Sequence, residues 1–100
     1  MAQHVTFAKM KVLPGKLDEL TKLMDENPAR LAQTGWQGSV VGKSKDDPET
    51  LWLCVTWDTS ERYYANAGNP DQNAMYEKMR ALLAADPEWF DCDVVQEQHA

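Results

Sequence analysis

The chain has 100 residues, a common length for one domain, and 43% of them are hydrophobic, so it can hold one core and has no room for a second. Lys and Arg number 10 against 16 Asp and Glu, and the resulting net charge of -6 argues against DNA, RNA or an anionic membrane surface as a partner. No stretch approaches the roughly 18 apolar residues of a membrane span, and Met1 to Val12 carries His4, Thr6, Lys9 and Lys11 where a signal peptide needs an apolar block, so a cytoplasmic protein is expected.

Four of the 5 prolines follow Asn or Asp, at Asn27-Pro28, Asp47-Pro48, Asn69-Pro70 and Asp86-Pro87, and the other stands as Pro14-Gly15. Proline pushes the residue before it out of the helical region, and Asn or Asp favours caps and turns, so these pairs divide the chain into elements. Gln3 to Leu13 carries Val5, Phe7 and Leu13 on one parity and Ala8, Met10 and Val12 on the other, the pattern of a central strand covered on both faces. Leu17, Leu20, Leu23, Met24 and Leu31, with Asp18, Glu19, Lys22, Asp25 and Glu26 between them, predict an amphipathic helix. Asn27 can cap a fresh turn with Pro28 at its first position, and Gly35 ends the helical stretch. Trp36 to Lys43 and Thr50 to Trp57 are β-rich runs joined by a polar turn, a hairpin. Asp58 with Glu61 is a capping-box variant that opens a helix through Tyr63 and Tyr64, which Gly68 can close. Asn69 and Pro70 start another helix, whose buried stripe is Met75, Met79, Leu82 and Leu83. Trp89 to Glu97 alternates Phe90, Cys92 and Val94 against Asp91 and Asp93, which predicts a half-exposed strand.

Strand, helix, strand, strand, helix, strand, with right-handed crossovers about a central hairpin, selects an α+β fold. It is the ferredoxin-like split βαβ arrangement, an antiparallel four-stranded sheet with helices on one face. A single domain over residues 1–100 is expected. Strands apolar on both parities, beside helices sufficient for one face, imply a second sheet over the other face, and a second copy of so short a chain is the economical source. Cys54 and Cys92 share no redox spacing and lie in apolar runs, which reads as two buried thiols. The sequence shows no Gly-rich phosphate loop, no ligand-spaced Cys and His and no basic dinucleotide pocket, so neither cofactor nor metal is expected.

Five pieces carry a resemblance over nearly the whole chain: Pro14-Gly15 after the first strand, Gly35-Trp36 opening the second, Asp47-Pro48 in the hairpin, the run from Trp57 to Glu61, and Ala65-Asn66 with Asn69-Pro70 beyond. Together they resemble the antibiotic biosynthesis monooxygenase family. The resemblance implies a homodimeric α+β barrel and an activity drawn from quinol and polyketide oxygenation, haem degradation or the processing of signal molecules. Many relatives have His where Asn66 stands. Haem-degrading members have Trp there, His in place of Met75 and Asn in place of Lys9, so haem degradation is not expected. Aromatic-polyketide monooxygenases are similar in Trp57, Tyr63 and Asn66, although they carry Asn where this chain has Leu53.

The resemblance thus implies oxygenation, without a cofactor, of a small phenol or quinol-type aromatic compound. The ionised substrate itself passes an electron to dioxygen, while the protein positions it, stabilises developing charge and excludes water. The candidate catalytic residues are Trp57, as indole donor and stacking face, Tyr63 as a phenol, and Asn66 as an amide on the same helix face as Tyr63. Met75 and Met79 are candidate substrate-binding residues, an adaptable floor for an aromatic ring. Each has a structural role open to it as well: Trp57 bonded to backbone, Tyr63 and the two methionines packed in the core, Asn66 at a helix end. Trp36, Trp52 and Trp89 read as core or dimer contacts, Lys9 as a strand-edge lysine, and His4 and His99, near the termini, supply no pocket histidine. A non-oxygenase enzyme acting on a small carbonyl compound and a non-catalytic dimeric ligand-binding or accessory protein are the alternatives. If Trp57 shares the helix-covered face with Leu53 and Val55, then Trp52, Cys54 and Thr56 face the partner sheet.

Overall fold

The computed structural model describes residues 3–26 and 28–100, in the order β1 (His4–Lys11), α1 (Leu17–Met24), α2 (Pro28–Ala32), β2 (Trp36–Lys43), β3 (Thr50–Trp57), α3 (Ser60–Ala67), α4 (Pro70–Arg80) and β4 (Glu88–Asp93). The strands form one antiparallel four-stranded sheet in the order β2-β3-β1-β4, the ferredoxin-like arrangement expected from the sequence. The proposed cap at Asn27 lies outside the described residues.

Because strand side chains alternate between faces, the pairing of β1 decides what lies where. His4 stands opposite Trp57 and Asp93, Thr6 opposite Val55 and Asp91, and Ala8 opposite Leu53 and Trp89. His4, Thr6, Ala8, Met10 and Val12 are buried beneath the helices. Trp57, Val55 and Leu53 share their face, while Trp52, Cys54 and Thr56 point the other way. Among the described residues no helix lies over that second face. Phe7, Val40, Trp52 and Phe90 stand on it with 43%, 71%, 48% and 50% of their surface exposed, which makes an apolar patch in the isolated chain. The two cysteines, expected to be buried, are free thiols on this same open face, Cys54 half-buried and Cys92 exposed.

β4 also departs from expectation. Its apolar parity, Phe90 and Cys92, faces the open side, and Asp91 and Asp93, read from the sequence as the solvent parity, face the helices. In β2 the pairing shifts between Trp36 and Gly38, so Gln37 is an extra residue. Trp36 therefore keeps the helix side opposite Trp57, and Ser39 and Val41 share that side, where an unbroken strand would have placed Gly38 and Val40.

The apolar core fills one end of the sheet. Ala8, Met10, Val12, Leu51 and Leu83 meet Leu20 of α1, with Leu17, Met24, Leu53, Met79 and Leu82 packed around them. Complete burial of a side chain such as Leu20 is worth about 1.5–3 kcal/mol. α4 stops at Arg80, so Leu82 and Leu83 belong to the segment beyond it and not to the helical stripe predicted for them. That segment runs beside the end of β1: the Leu13 N–H donates to the Leu82 carbonyl at 2.9 Å and the Ala84 N–H to the Lys11 carbonyl at 2.8 Å.

Asn69 caps α4 as its sequence predicts, Oδ1 accepting from the Asp71 N–H at 2.8 Å. In α3 the cap is Thr59, whose hydroxyl accepts from the Arg62 N–H at 3.1 Å. Asp58, the residue expected to cap, is drawn instead into an ion pair with Arg62 at 2.5 Å, and Arg62 also donates to the Gln33 carbonyl at 2.9 Å. Gly35, at φ 101, lies against this pair, and its carbonyl accepts from the Asp58 N–H at 2.9 Å. A Cβ at position 35 would collide with the Asp58 carboxylate and sit 3.1 Å from the Arg62 guanidinium carbon. Gly35→Ala is therefore expected to destabilise the protein by about 2 kcal/mol or more, combining backbone strain with a clash against a fixed ion pair, and chemical denaturation checks this.

The β2–β3 turn is held by Asp47, which accepts from Lys11 Nζ at 2.6 Å, the Thr50 hydroxyl at 2.8 Å and the Glu49 N–H at 3.1 Å. The Lys11 ammonium, then Thr50 and Glu49, hold its carboxyl down to about 2. A depressed carboxyl stabilises the fold above its unfolded value, and that contribution is lost as the pH falls through about 2. An NMR titration is expected to find the Asp47 carboxyl at about 2 and, in Lys11→Met, displaced back toward 3.8.

Candidate functional site

Beside the apolar core, between the sheet and the helices, lies a cavity of about 750 Å³. That volume is in the range of small-molecule sites. Trp57, Tyr63, Asn66, Met75 and Met79 all stand on its wall, so the structure brings the residues singled out from the sequence around one space. Trp36 and Trp89, which the sequence suggested as core or dimer contacts, line it as well. The bulge at Gln37 turns Trp36 inward, and the β4 register places Trp89 opposite Ala8 on the helix side. Trp52 lies on the open face, with Lys9 Nζ 5.5 Å from the centre of its ring.

The side chains differ in what they can offer a ligand. Trp57 is 4% exposed, and its indole N–H donates to the Thr34 carbonyl at 3.0 Å. The donor expected at this position is thus already engaged, tying β3 to the turn before β2, and Trp57 contributes ring surface. Tyr63 packs edge-on against it, ring centres 5.4 Å apart. Burial pushes the Tyr63 phenol above its ordinary value; the nearby Thr6 hydroxyl opposes this and the Asp91 carboxylate adds to it. Tyr63 therefore stays protonated at neutral pH.

Asn66 is buried on α3, one helical turn from Tyr63. Its Nδ2 donates to Gln72 Oε1 at 3.3 Å, and Arg30 reaches the same oxygen at 3.4 Å. Asn66 Oδ1 has no hydrogen-bond partner among the described residues, an expensive condition for a buried carbonyl and one that a donor on a ligand would relieve. Met75 and Met79, both half-buried, supply soft apolar surface from α4.

The sequence reading missed a polar chain behind the wall. His4 is 1% exposed and stacks on Tyr63, centroids 4.1 Å apart and planes 20° from parallel. Its Nε2 lies 2.6 Å from the Thr6 hydroxyl, which donates to Asp91 Oδ1 at 2.7 Å. Its Nδ1 lies 2.8 Å from the Ser60 hydroxyl, itself 3.4 Å from Asp93 Oδ1. Asp91 Oδ2 accepts from the Tyr64 hydroxyl at 3.1 Å, and both Asp91 and Tyr64 line the cavity. The Tyr64 phenol is raised too, by desolvation and by this bond to Asp91. One signal in the sequence pointed here: His4 and Thr6 share the parity of Ala8 and Met10, two polar residues at the head of an otherwise apolar stripe.

No protein-family model matches the sequence, and no curated protein matches it. Solved structures do. A provisionally named antibiotic biosynthesis monooxygenase from Chloroflexus aurantiacus superposes with a TM-score of 0.79 at 25% identity, covering 98% of each chain. The cofactor-independent oxygenase SnoaB from Streptomyces nogalater gives 0.82 at 13% identity over 97% of each chain. A dimeric ferredoxin-like protein from an uncultured marine organism gives 0.78 at 17% identity, over 100% of this chain and 94% of that one. From end to end, the chain has the fold of the antibiotic biosynthesis monooxygenases.

Proposed function

We propose that the protein is a cofactor-independent monooxygenase of a small phenol- or quinol-type aromatic compound. The observation that carries this reading is the composition of the cavity wall. Indole and phenol rings from Trp36, Trp57, Tyr63 and Trp89 surround a space into which Asn66 and Asp91 bring polar atoms. Flat apolar walls with a few placed polar groups suit a flat, hydroxylated ring. An electron-rich substrate of this kind supplies the electrons itself: one atom of dioxygen enters the ring, the other leaves as water, and the substrate is oxidised. The protein then needs to orient the ring, stabilise the oxyanion and keep bulk water out. The free Asn66 Oδ1 accepts from a substrate hydroxyl, Tyr63 remains a neutral phenol donor, and Met75 and Met79 bear on the ring. The likeness in fold to a cofactor-independent oxygenase supports the same reading.

A panel of quinols and anthrone-type phenols is expected to drive oxygen uptake with the purified protein, and oxidised substrate without oxygen consumption would overturn the reading. Asn66→Ala is expected to lower turnover by about 1–3 kcal/mol of transition-state stabilisation with little loss of stability. Trp57→Phe is expected to act the opposite way, costing about 1–3 kcal/mol of stability through the freed Thr34 carbonyl and the lost ring volume.

We also propose that the open sheet face is covered by a second copy of the chain. Its apolar residues, Phe7, Val40, Trp52 and Phe90, leave a patch of the kind that monomers rarely display, and a dimeric protein of the same fold supports the pairing. Sedimentation is expected to give a dimer at micromolar concentration and a monomer for Trp52→Asp, and a wild-type monomer under those conditions would sink the proposal.

A further inference from the structure

We infer that Asp91 binds a positively charged amino group on the substrate, so that the compound taken up is a phenol- or quinol-type ring bearing an amine. The inference rests on the phenol or quinol reading above and narrows it. Three observations carry it. The Asp91 carboxylate stands on the cavity wall with 35% of its side chain open, and among the described residues neither Lys nor Arg lies within ion-pair distance of it. The carboxylate is also held in place from two sides: Thr6 on β1 donates to Oδ1 at 2.7 Å, and Tyr64 on α3 donates to Oδ2 at 3.1 Å. Each oxygen has two lone pairs, so one on each remains for a ligand. Rings, finally, border it. Trp89 stands two residues before it on the same face of β4, and the Tyr64 ring that bonds it meets Tyr63, centres 5.2 Å apart.

The direction of each bond follows from the proton count. Thr6 has a single hydroxyl proton and gives it to Asp91, so the His4 Nε2 N–H, 2.6 Å from the Thr6 oxygen, donates to Thr6. His4 Nε2 lies 3.9 Å from Asp91 Oδ1 and reaches it through that hydroxyl. Thr6 and His4 are positioning residues; Asp91 is the group that meets the ligand. An acceptor already oriented by the fold demands little ordering when a ligand arrives. The two open acceptors of the cavity then distinguish the two ends of the substrate. Asn66 Oδ1 is a neutral carbonyl, which a hydroxyl satisfies. Asp91 carries a full charge beside indole and phenol rings, where the effective dielectric is low and an opposite charge stabilises it more than a neutral donor does. Arg30, the basic residue on the wall, turns to Gln72 of α4 beside Asn66, away from the bonds that Asp91 makes to β1 and α3. A ligand carboxylate would meet Asp91 with like charge, and the net charge of -6 disfavours it at longer range. The ring therefore lies with its hydroxyl toward Asn66 and its amine toward Asp91.

The test is calorimetric titration with phenols that differ at the end of a short side chain: tyramine ends in an ammonium, tyrosol in a hydroxyl, 4-ethylphenol in a methyl and 3-(4-hydroxyphenyl)propionate in a carboxylate. Tyramine is expected to bind about tenfold more tightly than tyrosol, with 4-ethylphenol weaker and the propionate weakest. Asp91→Asn, which keeps the shape and removes the charge, is expected to bring tyramine down to the level of tyrosol. Equal binding of tyramine and tyrosol by the wild-type protein overturns the inference, as does a preference for tyramine that survives Asp91→Asn, or failure of the whole series to bind. If Asp91→Asn does not fold, carbon-13 NMR of the wild-type Asp91 carboxyl decides the matter: its resonance is expected to move with tyramine and to stay with 4-ethylphenol, and a resonance that tyramine leaves in place overturns the inference. An Asp91-dependent preference for tyramine without oxygen uptake from any quinol would leave the amine site standing and sink the oxygenase reading. Oxygen uptake from neutral quinols with no preference for tyramine would do the reverse.

Discussion

The register of β1 against its two neighbours is the constraint on which the rest of the structure depends. With His4 opposite both Trp57 and Asp93, one parity of the central strand carries the core and the wall of the site, and the other carries the open face. A slip of one residue would turn His4, Thr6 and Met10 outward and bring Phe7 and Lys9 beneath the helices. The burial of Ala8, Met10 and Val12 against Leu20, Leu51 and Leu83 opposes such a slip, since each large side chain turned out would forfeit about 1.5–3 kcal/mol. The site therefore inherits its geometry from hydrophobic packing at the other end of the same strand.

That division explains why stability and chemistry do not compete at the same residues. The end of the sheet near Met10 is filled. The end near His4 holds the cavity, a buried amide with an unpartnered oxygen and a buried imidazole. A buried polar group without its bonds costs about 1–3 kcal/mol, so the second end draws on the stability of the first. Thr6 and Ser60 keep that demand low for His4, because a hydroxyl satisfies an imidazole nitrogen whichever partner carries the proton.

Much of this was legible in the sequence. The Asn-Pro and Asp-Pro pairs marked the element boundaries because proline restricts its predecessor, and β2 and β3 fall on the residues that their composition predicts. The parity argument for Trp57 could be made from Leu53 and Val55 alone. What was not legible depends on partners distant in sequence. Asp91 and Asp93 have the alternation of a solvent-facing parity, and only pairing with β1 shows that they face His4 and the helices. The bulge at Gln37, which brings Trp36 into the cavity wall, leaves no mark in local composition. Nor does the choice of Thr59 over Asp58 as cap, since it follows from the reach of Arg62 to Asp58 and to the Gln33 carbonyl. The two roles open to the Trp57 indole could not be told apart for a like reason: the Thr34 carbonyl that engages it lies 23 residues away.

Charge places one further demand on the proposed chemistry. The chain is acidic, with a net charge of -6, and an ionised phenol adds a negative charge to a cavity that already holds the Asp91 carboxylate. Two anions in a space walled by indole and phenol rings repel one another where the effective dielectric is low, and an isolated buried ion costs several kcal/mol. Arg30 lies on the cavity wall, but it is committed toward Gln72. The groups left to meet that charge are dipoles: burial holds the Tyr63 phenol in its protonated, donor form, and the indole and phenol rings present their positive edges to the space. On this account an acidic protein without a basic pocket stabilises an oxyanion through fixed neutral donors, whose effect is greatest where water is excluded.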